Sequence, residues 1–217
     1  MLGGLTPVID VVVPVRDDAA TLAPLLRELP HRAIRSVVVV DRASSDRSPE
    51  IARDAGALVL REPSGGYGAA CQRALAHFQS LPRVPDVVVF IPGDHAAAAA
   101  LVPMLVAPIA DRGVELVLGA DGGKRRIAER VAVGLIDTVY RHRWSGVGPV
   151  RALKFPALVA LGMRDRGSGW DVEMLVRAVK LGLTCDEVAV PKPKGDDRGT
   201  KVGTRALLHI LRHATLR

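Results

Sequence analysis

The chain of 217 residues carries a formal net charge of +7, and 48% of its residues are hydrophobic. This length and composition predict one globular domain with a sizeable core and exclude an intrinsically disordered chain. The longest apolar stretch, residues 96–110, contains Pro103 and Pro108 and is shorter than the ~20 residues that a membrane-spanning helix needs.

Short Val-rich runs alternate with helix-like segments along the first half of the chain. The predicted strands cover Ile9–Val15, Ser36–Asp41, Ala57–Arg61, Asp86–Ile91 and Val114–Gly119. The predicted helices cover Ala19–Leu29, a segment capped by Ser44, Ser45 or Asp46 that runs through Ala55, Ala69–Gln79, and the Ala-rich segment after His95. Runs such as VVVPV, apolar throughout, fit strands that are buried on both faces. The alternation predicts a single, Rossmann-like α/β domain with a mostly parallel central sheet flanked by helices.

The second half is less regular. A helix is predicted over Lys124–His142, followed by a loop over residues 145–153, a helix over Asp171–Leu181 and a strand over Thr184–Val190. Residues 191–217 are predicted to form a separate basic loop and an amphipathic C-terminal helix from Thr204, after a domain that spans residues 1–190.

The C-terminal segment carries seven Lys or Arg residues against two Asp residues. This excess makes it a candidate for contact with an anionic membrane surface or a phosphorylated substrate, and packing on its own domain is the alternative. Nucleic acid is not an expected partner, because aromatic residues, which stack on bases, make up only 3% of the chain.

The cysteines and the N-terminal residues indicate the cellular compartment in which we expect the protein. Cys71 and Cys185 lie far apart without metal-ligand spacing, so both are predicted to be reduced thiols. The first residues lack the basic region of a signal peptide. We therefore expect a cytoplasmic protein, with the basic C-terminus as a candidate for peripheral contact at the inner face of the membrane.

Acidic residues stand where the predicted strands end. Asp17 and Asp18 follow the first strand and Asp41 ends the second. Ligands of parallel sheets bind at the carboxyl ends of strands, so these carboxylates predict a ligand-binding site at this edge of the sheet. An exposed loop acid remains the alternative for Asp18, and helix capping the alternative for Asp41 and for the nearby Asp46. The Gly-x-Gly-x-x-Gly turn of dinucleotide-binding folds is absent after the first strand.

Seven segments together resemble the family 2 glycosyltransferases of the GT-A fold, especially the branch of the dolichyl-phosphate mannosyl- and glucosyltransferases. They are VVPVRDDA, VVVVDRASSDRS, EPSGGYGAA, VVVFIPGDH, ELVLGAD, GPVRALK and GSGWDVEML, in the order and at the spacing of that family. The resemblance implies a GT-A domain that moves a hexose from a nucleotide sugar of the GDP-mannose or UDP-glucose type to an acceptor, with inversion at the anomeric carbon. It further implies a polyprenyl phosphate acceptor and a Mg²⁺ or Mn²⁺ cofactor.

The resemblance also assigns roles to individual residues. Those implied to bind the donor or its metal are Pro14, Asp18, Asp41, Gly66, Tyr67, Gly68, Gly93 and Asp94, with Asp94 as the metal ligand. Those implied to act in catalysis are Asp94, Arg151, Asp171 and Glu173. Arg198 and Lys201 are implied to hold an acceptor phosphate.

Several of these roles have structural alternatives. Arg151 could belong to an internal ion pair. Asp171 and Glu173 could stand at the start of their helix because acids interact favourably with the positive end of the helix dipole. The glycines around Tyr67 could simply form a turn. His95 could add a metal ligand or lie in a surface loop.

Three positions depart from the family pattern. Pro92 stands in place of the first acid of Asp-x-Asp, Ala120-Asp121 stands where the family commonly has an Arg, and Gly146 stands where it commonly has an Asp. These departures keep a second hypothesis open: a catalytically reduced relative that serves as a binding module for a nucleotide sugar or a lipid phosphate.

Overall fold

This computed structural model describes residues 6–120, 134, 144–148 and 150–190. The strands are β1 (Ile9–Val15), β2 (Ser36–Asp41), β3 (Leu58–Arg61), β4 (Val87–Phe90), β5 (Leu116–Ala120), β6 (Arg151–Lys154) and β7 (Cys185–Ala189). The helices are α1 (Ala19–Glu28), α2 (Ser48–Asp54), α3 (Tyr67–Gln79), α4 (Val102–Arg112), α5 (Phe155–Ala160) and α6 (Trp170–Lys180), and a 3-10 helix (Ala96–Leu101) precedes α4.

The described strands form one seven-stranded sheet in the order β3-β2-β1-β4-β6-β5-β7. Pairing is parallel except for β6, which runs antiparallel to both β4 and β5. All seven residues of β1 are buried. Val11 and Val13 pack with the apolar side chains of α1 and α4, whereas Val12 packs with those of α3 and α6. The prediction of a mostly parallel α/β sheet flanked by helices is therefore confirmed, and burial on both faces explains why the β1 sequence is apolar throughout.

The strand order places a crevice between β1 and β4. From β1 the chain moves outward through β2 to β3, and it then crosses back to place β4 on the other side of β1. Residues of α1 and α2 pack on one face of the sheet and those of α3 on the other. Such a reversal of strand order opens a space at the carboxyl ends of the two strands, where ligands of open α/β sheets bind.

The main differences from the sequence prediction lie after residue 144. The segment Arg151–Lys154 was predicted as loop, but it is β6, and the short helix α5 that follows it was not predicted. Four residues are too few for a periodic pattern, and their pairing with β4 and β5 is a tertiary effect.

Parts of the prediction lie outside the described residues. These are the helix over residues 124–142, apart from Gly134, which is helical, and the whole segment 191–217. In the part of the chain that the structure describes, no helix is both long and apolar enough to cross a bilayer.

Candidate functional site

The carboxylate of Asp18 lies against the backbone of Gly93. A Cβ added to Gly93 would come within 2.8 Å of Asp18 Oδ2 and 2.9 Å of Val15 Cγ1, so only glycine fits there without a shift. The N–H of Gly93 donates to the carbonyl oxygen of Pro14 at 3.1 Å, which continues the pairing of β1 and β4 beyond the strand ends. The structure thus brings Pro14, Asp18 and Gly93 together beside Asp94.

Two carboxylates share this edge of the sheet. Burial raises the pKa of Asp18, and the nearby charge of Asp94 raises that pKa further. The N–H of Arg16, at 2.8 Å from Asp18 Oδ2, and the guanidinium of Arg42 act in the opposite direction. The net shift of the Asp18 pKa is upward, mainly because burial disfavours the ionised carboxylate.

Asp94 is in contact with His95. The Nδ1 of His95 lies 2.7 Å from Asp94 Oδ1, and 17% of the His95 side chain and 37% of the Asp94 side chain are exposed. His95 therefore lies in the loop after β4, as the alternative proposed, but its side chain is mostly buried and contacts Asp94. When Asp94 is ionised, the ring donates from Nδ1 and its Nε2 carries the lone pair.

Asp41 ends β2 with its side chain fully buried. Its Oδ1 accepts the N–H of Ser44 at 3.0 Å, whereas its Oδ2 has no hydrogen-bond partner among the described residues. Arg61 Nε is 3.8 Å from Oδ2, beyond hydrogen-bond distance, and that side chain is 71% exposed. A buried carboxylate oxygen without a donor costs about 1–3 kcal/mol or more, so Oδ2 requires a donor that this part of the chain does not supply.

A hydrogen-bond network that the sequence analysis did not anticipate joins the two loops that carry these acids. Asp17 Oδ1 accepts the N–H of Ser45 at 2.7 Å, and the backbone of Asp17 is left-handed with φ 56°. Asp46 Oδ2 accepts the N–H of Ala19 at 2.9 Å, and Asp46 Oδ1 accepts the N–H of Ser48 at 2.9 Å. Asp46 therefore binds the N-terminal ends of both α1 and α2, as the capping alternative proposed, and fixes the spacing of the two loops.

Arg42 is a further cation of this site that the sequence analysis missed. Its N–H donates to the carbonyl oxygen of Val15 at 3.0 Å, and its Nε is buried without a hydrogen-bond partner among the described residues. Its charge acts to lower the pKa of Asp18 and of Cys71, so the guanidinium lies within electrostatic range of both groups. Its position directly after Asp41, at the carboxyl end of a buried strand, was the signal available in the sequence.

Arg151 lies inside the protein. Its side chain is fully buried, and its Nη2 lies 2.6 Å from the carbonyl oxygen of Gly148, 3.2 Å from that of Val147 and 2.8 Å from Asp171 Oδ1. The catalytic role that the resemblance implies for Arg151 is corrected, because its side chain lies in the core and has no exposed surface. The internal ion pair, the alternative, is what the structure contains.

Asp171 and Tyr67 line the same buried region. Burial raises the pKa of Asp171, and the charges of Arg151 and His95 oppose that rise. Burial also raises the pKa of Tyr67 well above its usual value, and the hydroxyl lies beside the thiol of Cys71. Asp171 therefore lies near His95, which places it close to the loop that carries Asp94.

The Gly-rich segment before α3 packs against another loop of the chain. The N–H groups of Gly66 and Gly68 donate to the carbonyl oxygens of Arg166 and Gly167, each at 3.0 Å. A Cβ on Gly66 would lie 2.8 Å from Gly167 Cα, and one on Gly68 would lie 2.2 Å from the carbonyl oxygen of Asp165. The expectation that these glycines admit a ligand is corrected: they admit the backbone of residues 165–167.

Glu173 holds that same loop in place. Its buried carboxylate accepts the N–H groups of Arg164 and Asp165, the latter at 2.7 Å, and Arg177 Nε at 2.8 Å. With these donors and no exposure, Glu173 is a structural group, and the catalytic role that the resemblance implies for it is corrected. Arg198 and Lys201 lie outside the described residues.

Within the described ranges, no three His, Cys, Asp or Glu side chains are grouped so that they could hold a metal ion. The acids at the strand ends therefore do not form a metal site in which the protein supplies all of the ligands. Divalent ions that are held through one or two carboxylates complete their coordination with waters and the phosphates of a ligand.

Comparison with known proteins supplies the context for this site. Residues 10–124 match the family model described as glycosyl transferase family 2. An uncharacterized glycosyltransferase of Mycobacterium tuberculosis is 33% identical over 196 residues, which cover 84% of each chain. The glycosyltransferase AglJ of Haloferax volcanii is 24% identical over 199 residues, which cover 86% of this chain and 64% of AglJ.

Solved structures agree in fold. Glucosyl-3-phosphoglycerate synthase from Mycobacterium tuberculosis, in complex with Mn²⁺, uridine diphosphate and phosphoglyceric acid, has a TM-score of 0.82 at 22% identity and covers 97% of this chain and 80% of its own. The same synthase with Mn²⁺, UDP-glucose and phosphoglyceric acid has a TM-score of 0.79.

Proposed function

The chain belongs to glycosyl transferase family 2 and is a glycosyltransferase, and we propose that it transfers a hexose from a nucleoside diphosphate sugar, with a divalent metal ion at Asp94. In this reaction an acceptor oxygen forms a bond to the anomeric carbon. The bond from that carbon to the diphosphate breaks, and the nucleoside diphosphate leaves.

The observation that carries this proposal is the buried Oδ2 of Asp41, which lacks a donor among the described residues. It lies at the carboxyl end of β2, next to the crevice between β1 and β4. A nucleoside supplies the missing donor as a ribose hydroxyl or a base N–H group, and either would bind the carboxylate with a charge-assisted hydrogen bond. We propose that Asp41 binds the nucleoside and that Asp18 lies beside it as a second acceptor.

Asp94 fits a divalent metal ion on the chemistry of its surroundings. Carboxylate oxygen is the ligand type that Mg²⁺ and Mn²⁺ accept, and the side chain is 37% exposed at the crevice. Burial and, after it, the charge of Asp94 raise the pKa of Asp18, and a cation between the two carboxylates would relieve their repulsion. When bound, such an ion supplies positive charge that stabilises the diphosphate leaving group.

Arg42 is proposed to bind the donor phosphates. Its guanidinium lies beside Asp18, and its buried Nε still requires an acceptor. Phosphate oxygens accept such N–H groups strongly. Arg151 does not compete for this role, because it is buried in an internal ion pair.

For the acceptor we propose a polyprenyl phosphate, on the resemblance and on the basic residues Arg198 and Lys201. A phosphate acceptor is already anionic, so it needs little help from a base. The second candidate is a small hydroxyl compound that carries a phosphate, and the raised pKa of Asp171 favours it, because a hydroxyl acceptor must give its proton to a base. The similarity in fold to a synthase solved with phosphoglyceric acid supports the same candidate.

The test is a panel of nucleotide sugars screened for thermal stabilisation with and without Mn²⁺, followed by product analysis with each acceptor. We expect one UDP- or GDP-sugar to raise Tm in the presence of Mn²⁺, with a shift that grows with ligand concentration above its Kd. Product formation with polyprenyl phosphate or with phosphoglycerate then identifies the acceptor class. Binding without product across all acceptors would indicate the binding module instead, and the absence of any nucleotide-sugar binding would refute the proposal.

A further inference from the structure

We propose that His95 is a positioning residue of the metal site, which holds the carboxylate of Asp94 in the orientation that binds the ion. This inference rests on the proposed function, because it concerns the same metal. It explains how a loop with Pro92 in place of an acid still presents an ordered metal ligand.

Both ends of His95 are fixed. Its ring Nδ1 contacts Asp94 Oδ1 at 2.7 Å, and only 17% of the side chain is exposed. Its N–H donates to the carbonyl oxygen of Pro92 at 2.9 Å, and its own carbonyl oxygen accepts the N–H of Ala98 at 3.0 Å. The ring is therefore attached to a closed turn that leads into the 3-10 helix, and it cannot follow Asp94 if that side chain rotates.

The contact between His95 and Asp94 also acts on the electrostatics of this edge of the sheet. The carboxylates of Asp18 and Asp94 are close enough for the charge of Asp94 to raise the pKa of Asp18. Repulsion between the two carboxylates therefore disfavours any orientation of Asp94 that brings it closer to Asp18. A ring N–H that donates to Oδ1 stabilises the ionised carboxylate where it is, which is the role that outer-shell hydrogen bonds have around metal ligands.

The second nitrogen of the ring offers a competing role. His95 Nε2 carries the lone pair when Nδ1 donates to Asp94, so it could bind the metal directly. The two roles separate by substitution, because the amide nitrogen of Asn occupies the place of Nδ1 and the amide group of Gln reaches the place of Nε2. Under our proposal His95→Asn keeps the function and His95→Gln loses it.

The experiment is a Mn²⁺ titration of the full-length protein, followed by electron paramagnetic resonance in the presence of saturating UDP. We expect His95→Ala and His95→Gln to weaken Mn²⁺ binding by about 10–100-fold, the usual effect of losing an outer-shell partner. His95→Asn should retain most of the affinity. UDP binding in the presence of EDTA and the thermal stability of each variant report whether the fold is intact.

Two results would overturn the inference and leave the proposed function in place. The first is that His95→Ala binds Mn²⁺ with the affinity of the wild type. The second is that His95→Gln retains Mn²⁺ affinity and His95→Asn does not, which would make His95 a direct metal ligand. A wild-type protein that binds UDP but no Mn²⁺ would remove the metal from the proposed function, and the role of His95 with it. The wild-type titration therefore separates the two failures.

Discussion

The carboxylate of Asp18 occupies the space that any side chain at Gly93 would need. The Oδ2 of Asp18 would lie 2.8 Å from a Cβ at residue 93, and the side chain of Val15 would lie 2.9 Å from it. The end of β1 and the loop after β4 are therefore packed together through an acid and a glycine. Because Asp94 follows Gly93 directly, this contact also sets the distance between the two carboxylates of the site.

Substitution Gly93→Ala should damage both the fold and the site. The added methyl group forces Asp18 or the loop after β4 to move, at a cost of about 1–3 kcal/mol of unfolding free energy, as for other overpacked positions. Nucleotide and Mn²⁺ binding should weaken as well. Urea denaturation and calorimetry measure the two effects. The matched control is Gly167→Ala, whose Cβ would meet only Asp165 Oδ1 at 3.5 Å, an ordinary contact; equal losses in both variants would contradict the prediction.

Asp41→Asn should separate binding from stability. The amide keeps an oxygen that accepts the N–H of Ser44, but it places an N–H₂ group where Oδ2 was. A hydroxyl or N–H group of the nucleoside then faces a hydrogen-bond donor and has no acceptor there. We expect nucleotide affinity to fall about 10–100-fold, which matches the ~1.5–3 kcal/mol of a hydrogen bond to a charged group.

The stability of the ligand-free Asp41→Asn protein should stay equal or rise, because a buried charge is removed. Calorimetry measures the nucleotide Kd, and denaturation measures the free energy of unfolding. The control is Asp54→Asn, which replaces an exposed acid. If the variant loses stability but binds the nucleotide normally, Asp41 only stabilises the loop that carries Ser44 and does not bind the nucleoside.

Arg42→Ala tests the proposed phosphate contact. A guanidinium that binds the diphosphate contributes nothing to uridine, some affinity to UMP and most to UDP. The loss of affinity in the variant should therefore grow along that series, and Arg42→Lys should recover only part of it, because an ammonium group lacks the planar fork of donors. Calorimetric Kd values for the three ligands provide the measurement. An equal loss for all three would instead place Arg42 at the base or ribose.

The sequence located the acids of this site because they stand at strand ends. Asp18, Asp41 and Asp94 each follow a buried run, and parallel strands bring their carboxyl ends to one edge. The local sequence pattern was sufficient to predict where these three acids lie in the fold. Asp46 was also interpreted correctly as a cap, although its bond to Ala19, 27 residues away, was not foreseen.

The remaining assignments depended on contacts that local sequence does not contain. Gly66 and Gly68 bind the backbone about 100 residues further along the chain, and a turn rich in glycine looks the same whether a ligand or another loop approaches it. Arg151 is internal because β6 lies between β4 and β5, which no pattern in the four residues RALK predicts.

The raised pKa of Asp18 gives a pH dependence of stability with a definite sign. An acid whose pKa is higher in the folded than in the unfolded protein contributes stability below its unfolded pKa, and that contribution is lost as pH rises through the folded pKa. Asp18→Asn has no such loss and keeps an acceptor for the N–H of Arg16. Measured from about pH 3 to about pH 7, the stability of the variant relative to the wild type should therefore rise once the pH exceeds about 4, the pKa of an unfolded Asp.

Urea denaturation of wild type and Asp18→Asn across that range checks the sign. Saturating Mn²⁺ with UDP should reduce the difference, because the cation stabilises the ionised form of the carboxylate pair. A difference that does not change with pH would mean that Asp18 titrates alike in the folded and unfolded protein.

Asp171→Asn decides between the two acceptor classes. A hydroxyl acceptor must lose its proton as its oxygen bonds to the anomeric carbon, so removal of the base should lower turnover by about 10²–10⁴-fold with an intact donor Kd. A polyprenyl phosphate has no such proton to lose, and its turnover should change little. Asp171 is 2.8 Å from the buried Arg151, so circular dichroism and donor binding must show that the variant is folded. Glu173→Gln, which alters the neighbouring structural acid, should reduce stability and leave the ratio of the two acceptor activities unchanged.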